Sequence, residues 1–192
     1  MTNAFAAQPA GPGDERRARL RDRLAKLAMI SGRAMTLASG RTSDIYFDMK
    51  MAMFDPETIN LITDAILDVL AEEDAACIGG LEMGAVPIVS AVVCKSHPER
   101  PVKGFFVRKT VKAHGTQKKI EGHFDPKGKI ALLEDVTTTG GSVLDAVRAV
   151  REAGGRVATV LTVVDREEGA RENLAREGIA LRALFTRADF RS

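Results

Sequence analysis

Short apolar runs alternate along this chain with longer stretches whose apolar residues recur three and four positions apart. From Asp14 to about Ile30, Leu20, Leu24, Leu27 and Ala28 share one helical face, arginines cover the rest, and Asp14 and Glu15 suit the first turn. Asp55-Pro56-Glu57 reads as a helix cap followed by proline at the first helical position, and Ile59, Ile62, Ala65, Ile66 and Val69 make a buried face running to about Glu72. Ala76-Cys77-Ile78 predicts a short strand, Ala85 to about Lys95 a helix, and Val102 to Arg108 another strand. Val143, Leu144, Val147 and Val150 have helical spacing that stops at Gly154-Gly155. Val157 to Val164 is β-branched and strand-like, Glu167 to Arg176 predicts a helix, and Ala180 to Phe185 a last strand. Residues 1–13, rich in Ala, Gly and Pro and without a period, are expected to be a disordered tail.

The chemistry concentrates between Ile130 and Ser142, I-A-L-L-E-D-V-T-T-T-G-G-S. Ile130, Ala131, Leu132 and Leu133 predict a parallel strand buried on both faces. A loop from Glu134 to Ser142 then leads into the next helix. Its glycines allow close backbone approach, its hydroxyls add donors, and the helix start adds free N–H groups, so it can bind an anion. An ordinary βα turn would also carry Ser, Thr or Gly, but it would not explain Glu134 beside Asp135. Two carboxylates repel a phosphate, and they make sense facing sugar hydroxyls or a metal ion on the same ligand. The stretch is neither a Walker loop nor a G-x-G-x-x-G dinucleotide turn.

Three other segments stand out. Ser39-Gly40 reads as a turn, and Ile45 and Phe47 alternate with Tyr46 and Asp48 as in an edge hairpin. Residues 109–123, K-T-V-K-A-H-G-T-Q-K-K-I-E-G-H, are basic and aperiodic, as in a solvated mobile loop or a lid that closes on polyphosphate. Arg166 lies just beyond a strand end, where open α/β sheets bind ligands. It could pair with a ligand carboxylate, or simply with Glu167 or Glu168.

The length, 192 residues, suits one α/β domain, residues 14–192, and a net charge of +2 with 45% hydrophobic residues suggests neither disorder nor nucleic-acid binding. The arginine face of the first helix reads as solvated surface more readily than as a binding patch. Cys77 and Cys94 lie far apart in apolar context, so buried free thiols are expected, and the three histidines have no zinc-type spacing. No run is long enough to span a membrane, and no signal peptide is evident, so a cytoplasmic protein is expected.

E-D-V-T-T-T-G-G-S resembles the phosphoribosyl pyrophosphate (PRPP) motif of type I phosphoribosyltransferases. Within them, S-G-R-x-S-x-x-Y-F-D resembles a segment near the start of orotate phosphoribosyltransferases, and D-R-E-x-G resembles their site for the orotate carboxylate. R-K-x-x-K-x-H-G matches their lid loop at Arg108, Lys109, Lys112, His114 and Gly115. The resemblance runs from about Met35 to Phe190. It implies the type I phosphoribosyltransferase fold: a central parallel sheet flanked by helices, with a small N-terminal hood at about residues 14–54 and a core at about 55–192. It implies transfer of the phosphoribosyl group from PRPP to orotate, giving orotidine 5′-phosphate and pyrophosphate.

The resemblance also implies roles. Glu134 and Asp135 would hold the ribose hydroxyls, and Val136, Thr137, Thr138, Thr139, Gly140, Gly141 and Ser142 would wrap the 5′-phosphate. The loop from Gly79 to Gly84 would cradle pyrophosphate, beneath a lid carrying Arg108, Lys109, Lys112 and His114. Tyr46, Phe47, Thr138 and Arg166 would hold orotate, and Lys112, His114 and Asp135 would be catalytic. Magnesium would be held mainly by PRPP and water rather than by protein ligands, and a homodimer would share its sites through the lid. Some family members have lysine where this chain has Ala38 and Gly84, so pyrophosphate would rely here on backbone amides or lid lysines. Two other readings remain. A transferase for another base fits poorly with Arg166, because purines carry no carboxylate. A PRPP-sensing regulator should lack Lys112 and carry a DNA-binding domain, for which this chain has no room.

Overall fold

The computed structural model of the protein describes residues 12–36, 42–75, 77–96, 100–110 and 118–191. In chain order they form α1 (Pro12–Leu27), β1 (Met29–Thr36), β2 (Thr42–Phe47), α2 (Lys50–Met53), α3 (Pro56–Glu73), β3 (Cys77–Gly79), α4 (Ala85–Ser96) and β4 (Lys103–Val107). Then follow β5 (Ile120–Gly122), β6 (Ile130–Thr137), α5 (Gly141–Glu152), β7 (Val157–Asp165), α6 (Ala170–Arg176), β8 (Ala180–Thr186) and a 3-10 turn at Arg187–Phe190.

The main sheet has the order β5-β4-β3-β6-β7-β8. Neighbours from β4 to β8 run parallel, and β5 is antiparallel to β4. The sheet is therefore mixed, not wholly parallel. The chain leaves β4 and returns to the edge it left, and a direct return of that kind runs antiparallel. Arg108 N donates to Lys119 O at 2.9 Å and His123 N to Gly104 O at 2.8 Å, which closes this edge. Part of the expected loop at 109–123 is thus strand.

β6 shows why the sheet sits at the centre. Ile130 and Leu132 pack on one side with Val143, Val147 and Val150 of α5 and Leu174 of α6. Ala131 and Leu133 pack on the other with α1, α3 and α4, through Leu20, Leu24, Ile62, Ile66, Ile88 and Val92. A period of two places successive side chains on opposite faces, so a strand covered on both sides must be apolar throughout. β1 and β2 form a separate antiparallel pair, with Met29 opposite Phe47.

The cap expected for α3 is present: Asp55 accepts from Thr58 N at 2.8 Å and Thr58 Oγ1 at 2.6 Å. These bonds and Arg23 lower the Asp55 carboxyl to about 2. Three arginines of α1 pair with acids of α3 or its cap, Arg16 with Asp68, Arg19 with Glu57, and Arg23 with Asp55 and Glu57.

Several boundaries differ from the sequence reading. α1 starts at Pro12, since proline is tolerated in a first helical turn, and it stops at Leu27 because Met29 already pairs with Phe47. α6 begins at Ala170 rather than Glu167, because Glu167 (φ 58°) and Gly169 (φ 103°) are left-handed and cannot continue a right-handed helix. Cys77 is buried, but Cys94 is exposed on α4.

Candidate active site

β6 does not end at Leu133. It continues through Glu134, Asp135, Val136 and Thr137, in register with β7 as far as Thr137 opposite Asp165. The acidic pair therefore stands on the strand itself, where backbone pairing holds it, and the turn is only Thr138–Gly140. Tertiary ties fix that turn. Arg166 N donates to Thr137 O at 2.9 Å, Thr137 Oγ1 to Asp165 Oδ1 at 3.3 Å, and Asn173 Nδ2 to Thr139 O at 2.8 Å. Gly140 takes φ 81°, which a side chain would strain, and α5 starts without a side-chain cap. The first N–H groups of α5 are left for a ligand.

Two clefts meet at this strand end. One, of about 290 Å³, is lined by Glu134, Val136, Thr137, Thr138, Thr139, Gly140, Gly141, Ser142 and Val143. The second, of about 210 Å³, shares Glu134, Val136 and Ser142 and adds Leu81, Glu82, Gly84, Lys109 and Asp135. The first is an uncharged hydroxyl and amide cradle except at Glu134. The second sets three carboxylates against Lys109. Burial first, and then the neighbouring Asp135, push the Glu134 carboxyl well above the usual range, and its Oε2 has no hydrogen-bond partner among the described residues. Asp135 Oδ1 accepts from Val136 N at 2.8 Å. Among the described residues no three His, Cys, Asp or Glu groups stand together as a metal site. The two carboxylates fit a hard cation that brings most of its oxygen ligands with it.

The glycines of the 79–84 loop divide by purpose. A Cβ on Gly79 would lie 2.3 Å from the Phe105 ring, and one on Gly80 would lie 2.5 Å from Leu133 O. Both are small because the sheet packs there. Only Gly84 opens onto the site: a Cβ would lie 2.8 Å from Asp135 Oδ1. Glu82 Oε1 accepts from Lys109 N at 3.0 Å and joins the two loops.

The remaining expected residues fall in three places. Lys112 and His114, with Ala38, lie outside the described residues. Arg108 lines neither cleft: it sits 3.2 Å from Glu121 and 3.9 Å from Glu82, over the Phe106 ring. Arg166 is buried, with Nη2 donating to Ile45 O at 2.9 Å and Cζ 5.9 Å from the Tyr46 ring. The hood strand β2 thus lies directly against it. Phe47 points the other way, into the core against Phe190 at 5.0 Å between ring centroids, so only its backbone can meet a ligand. Sequence reasoning passed over Lys50, at the start of α2. It pairs with Asp48 at 2.7 Å and also feels the charges of Tyr46 and Asp135, which together raise its pKa. Asp165 and Asn173 were also passed over. Asp165 stands inside D-R-E-E-G, but nothing local marks Asn173.

No family model matches the chain. It is 45% identical over 182 residues to the orotate phosphoribosyltransferase of Rhodopseudomonas palustris strain BisB18, covering 91% of this chain and 95% of that protein. It is 47% identical over 150 residues to that of Aquifex aeolicus, covering 78% and 82%. The crystal structure of Mycobacterium tuberculosis H37Rv orotate phosphoribosyltransferase in complex with PRPP matches with a TM-score of 0.76 and 35% identity, over 91% of this chain and 98% of that one. The likeness extends over most of the chain, in sequence and in three dimensions: the chain belongs to the orotate phosphoribosyltransferase family.

Proposed function

We propose that the protein transfers the 5-phosphoribosyl group from PRPP to orotate, giving orotidine 5′-phosphate and pyrophosphate, a step of pyrimidine (UMP) biosynthesis. The observation that carries this reading is the pair of clefts joined at Glu134 and Ser142. The hydroxyl and amide cradle from Val136 to Ser142 suits the 5′-phosphate. Glu134 and Asp135, at the junction, suit the ribose hydroxyls. The second cleft, with Lys109 and the open backbone at Gly84, suits the pyrophosphate.

Breaking the C1–O bond builds positive charge on the ribose and negative charge on the leaving pyrophosphate. Groups aimed at those charges lower the barrier. Asp135 stands beside the developing cation. Three carboxylates against Lys109 cannot hold a polyanion by themselves, so the second cleft needs further cations. Magnesium carried on PRPP oxygens and water would neutralise part of the leaving group. Lys112 and His114 of the lid would supply the rest and exclude water. The lid would serve the neighbouring subunit of a homodimer. Orotate would lie under Tyr46 and the Phe47 backbone, beside Thr138, with its carboxylate on Arg166. Among the described residues no helix is long and apolar enough to cross a membrane. With two free cysteines and small diffusible substrates, the cytoplasm is the proposed compartment.

The test is the loss of orotate absorbance on mixing the protein with PRPP and magnesium. No loss, with a known family enzyme active in parallel, would overturn the reading. Arg166→Ala should raise the KM for orotate roughly 10- to 150-fold, as expected for a lost charge-assisted pair, and change the KM for PRPP far less. Equal effects on both substrates would count against Arg166 as the orotate anchor.

A further inference from the structure

Arg166 is not waiting open for a ligand. Its Nε lies 3.2 Å from Glu168 Oε1, with side chains 4% and 10% exposed. The contact is close but off-axis. Neither Arg166 Nε nor either Glu168 oxygen has a hydrogen-bond partner among the described residues. A buried carboxylate ordinarily accepts several hydrogen bonds, whereas Glu168 faces Arg166 with no described residue donating to its oxygens. The backbone turns sharply on both sides of it, at Glu167 (φ 58°) and Gly169 (φ 103°). The β2 strand covers the other side of the guanidinium through Ile45 O and the Tyr46 ring.

We infer that Glu168 holds the place of the substrate carboxylate on Arg166, so that a carboxylated pyrimidine must displace it to bind while the uncharged parent leaves the pair intact. The inference rests on Arg166 being the orotate anchor. A ligand carboxylate can replace Glu168 with the guanidinium still paired, and the displaced Glu168 can turn to water. An uncharged pyrimidine offers no such exchange. It binds with the Arg166–Glu168 pair left in place, because displacing Glu168 would leave a buried guanidinium bare, which is costly.

The two pyrimidine nucleotides, orotidine 5′-phosphate and UMP, differ only in that carboxylate, and neither turns over without pyrophosphate. Titration calorimetry of the full-length protein with each gives the test. Glu168→Gln should bind orotidine 5′-phosphate roughly tenfold more tightly than wild type, the lower end of what one charge-assisted pair provides, and should bind UMP about as before. The free variant should melt at a lower temperature than wild type, and orotidine 5′-phosphate should raise its melting temperature by more. Glu168→Ala should move both readouts the same way. Unchanged or weaker binding of orotidine 5′-phosphate would overturn the inference, because Glu168 would then only orient Arg166. Equal tightening for UMP would overturn it too, since the gain would not come from the carboxylate. Wild-type protein that binds neither nucleotide would sink the functional reading, and this inference with it.

Discussion

Glu134 is 7% exposed, and burial followed by the charge of Asp135 raises its carboxyl well above the usual range. A raised folded-state pKa means that the folded protein binds more protons than the unfolded chain between the two values. The associated stability is complete below the unfolded value of about 4.3 and is lost as pH rises through the folded one. Glu134→Gln removes that loss. The variant should melt at a higher temperature than wild type near neutral pH, with the difference closing towards about pH 4. It should also bind PRPP more weakly, because the ribose hydroxyls lose one of the two acceptor oxygens of Glu134. Melting curves across pH with PRPP calorimetry check both, and a lower melting temperature at neutral pH would refute the electrostatic account. The residue types were legible from the sequence. The burial that sets their pKa values was not, since E-D following L-L could equally have begun an exposed loop.

At the scale of elements, the 79–84 loop separates packing from binding. On Gly80 a Cβ would lie 2.3 Å from the Ala85 Cβ and 2.5 Å from Leu133 O. The second contact is backbone in the central strand and cannot move aside. Gly80→Ala should cost about 1–3 kcal/mol, typical of overpacking, and lower Tm by roughly 2–12 °C for a chain of this size. On Gly84 the same added atom meets only the tip of the Asp135 side chain. Gly84→Ala should therefore fold with nearly unchanged Tm and still lose PRPP affinity, because Asp135 is pushed aside. Thermal melting paired with calorimetry distinguishes the two. Similar destabilisation by both would show that Gly84 also packs. The sequence presents these glycines as one loop. They diverge because Phe105, on β4, and Leu133, on β6, reach Gly79 and Gly80 from other strands.

For the whole molecule the central proposal is a site shared between two subunits. Lys112 would stabilise the departing pyrophosphate more than bound PRPP, so Lys112→Ala should lower turnover by about 10²–10³, the usual cost of one preorganised donor, with little change in the PRPP KM. Mixing Lys112→Ala subunits with Asp135→Asn subunits, each nearly inactive alone, gives dimers in which one site collects both lesions and the other neither. Activity should return to about half of wild type per mixed dimer if the two-fold-related sites act independently. Verified mixed dimers without recovered activity would place Lys112 in its own subunit's site or out of catalysis.

The rhythm of the elements, the Asp55 cap and the composition of the turn after β6 belonged to the sequence alone. Each depends on neighbours within a few positions, where strand alternation, helical spacing and local hydrogen bonds operate. The tertiary structure decided what depends on distant partners. It turned β5 antiparallel along β4, extended β6 through Thr137 by pairing it with β7, and buried Phe47 while leaving Tyr46 at the hood surface. It also chose between the two fates open to Arg166 at the end of β7. The arginine sits against Glu168, two positions on, and against Ile45 O, a contact that requires β2 to fold back over a residue 121 positions away in the chain.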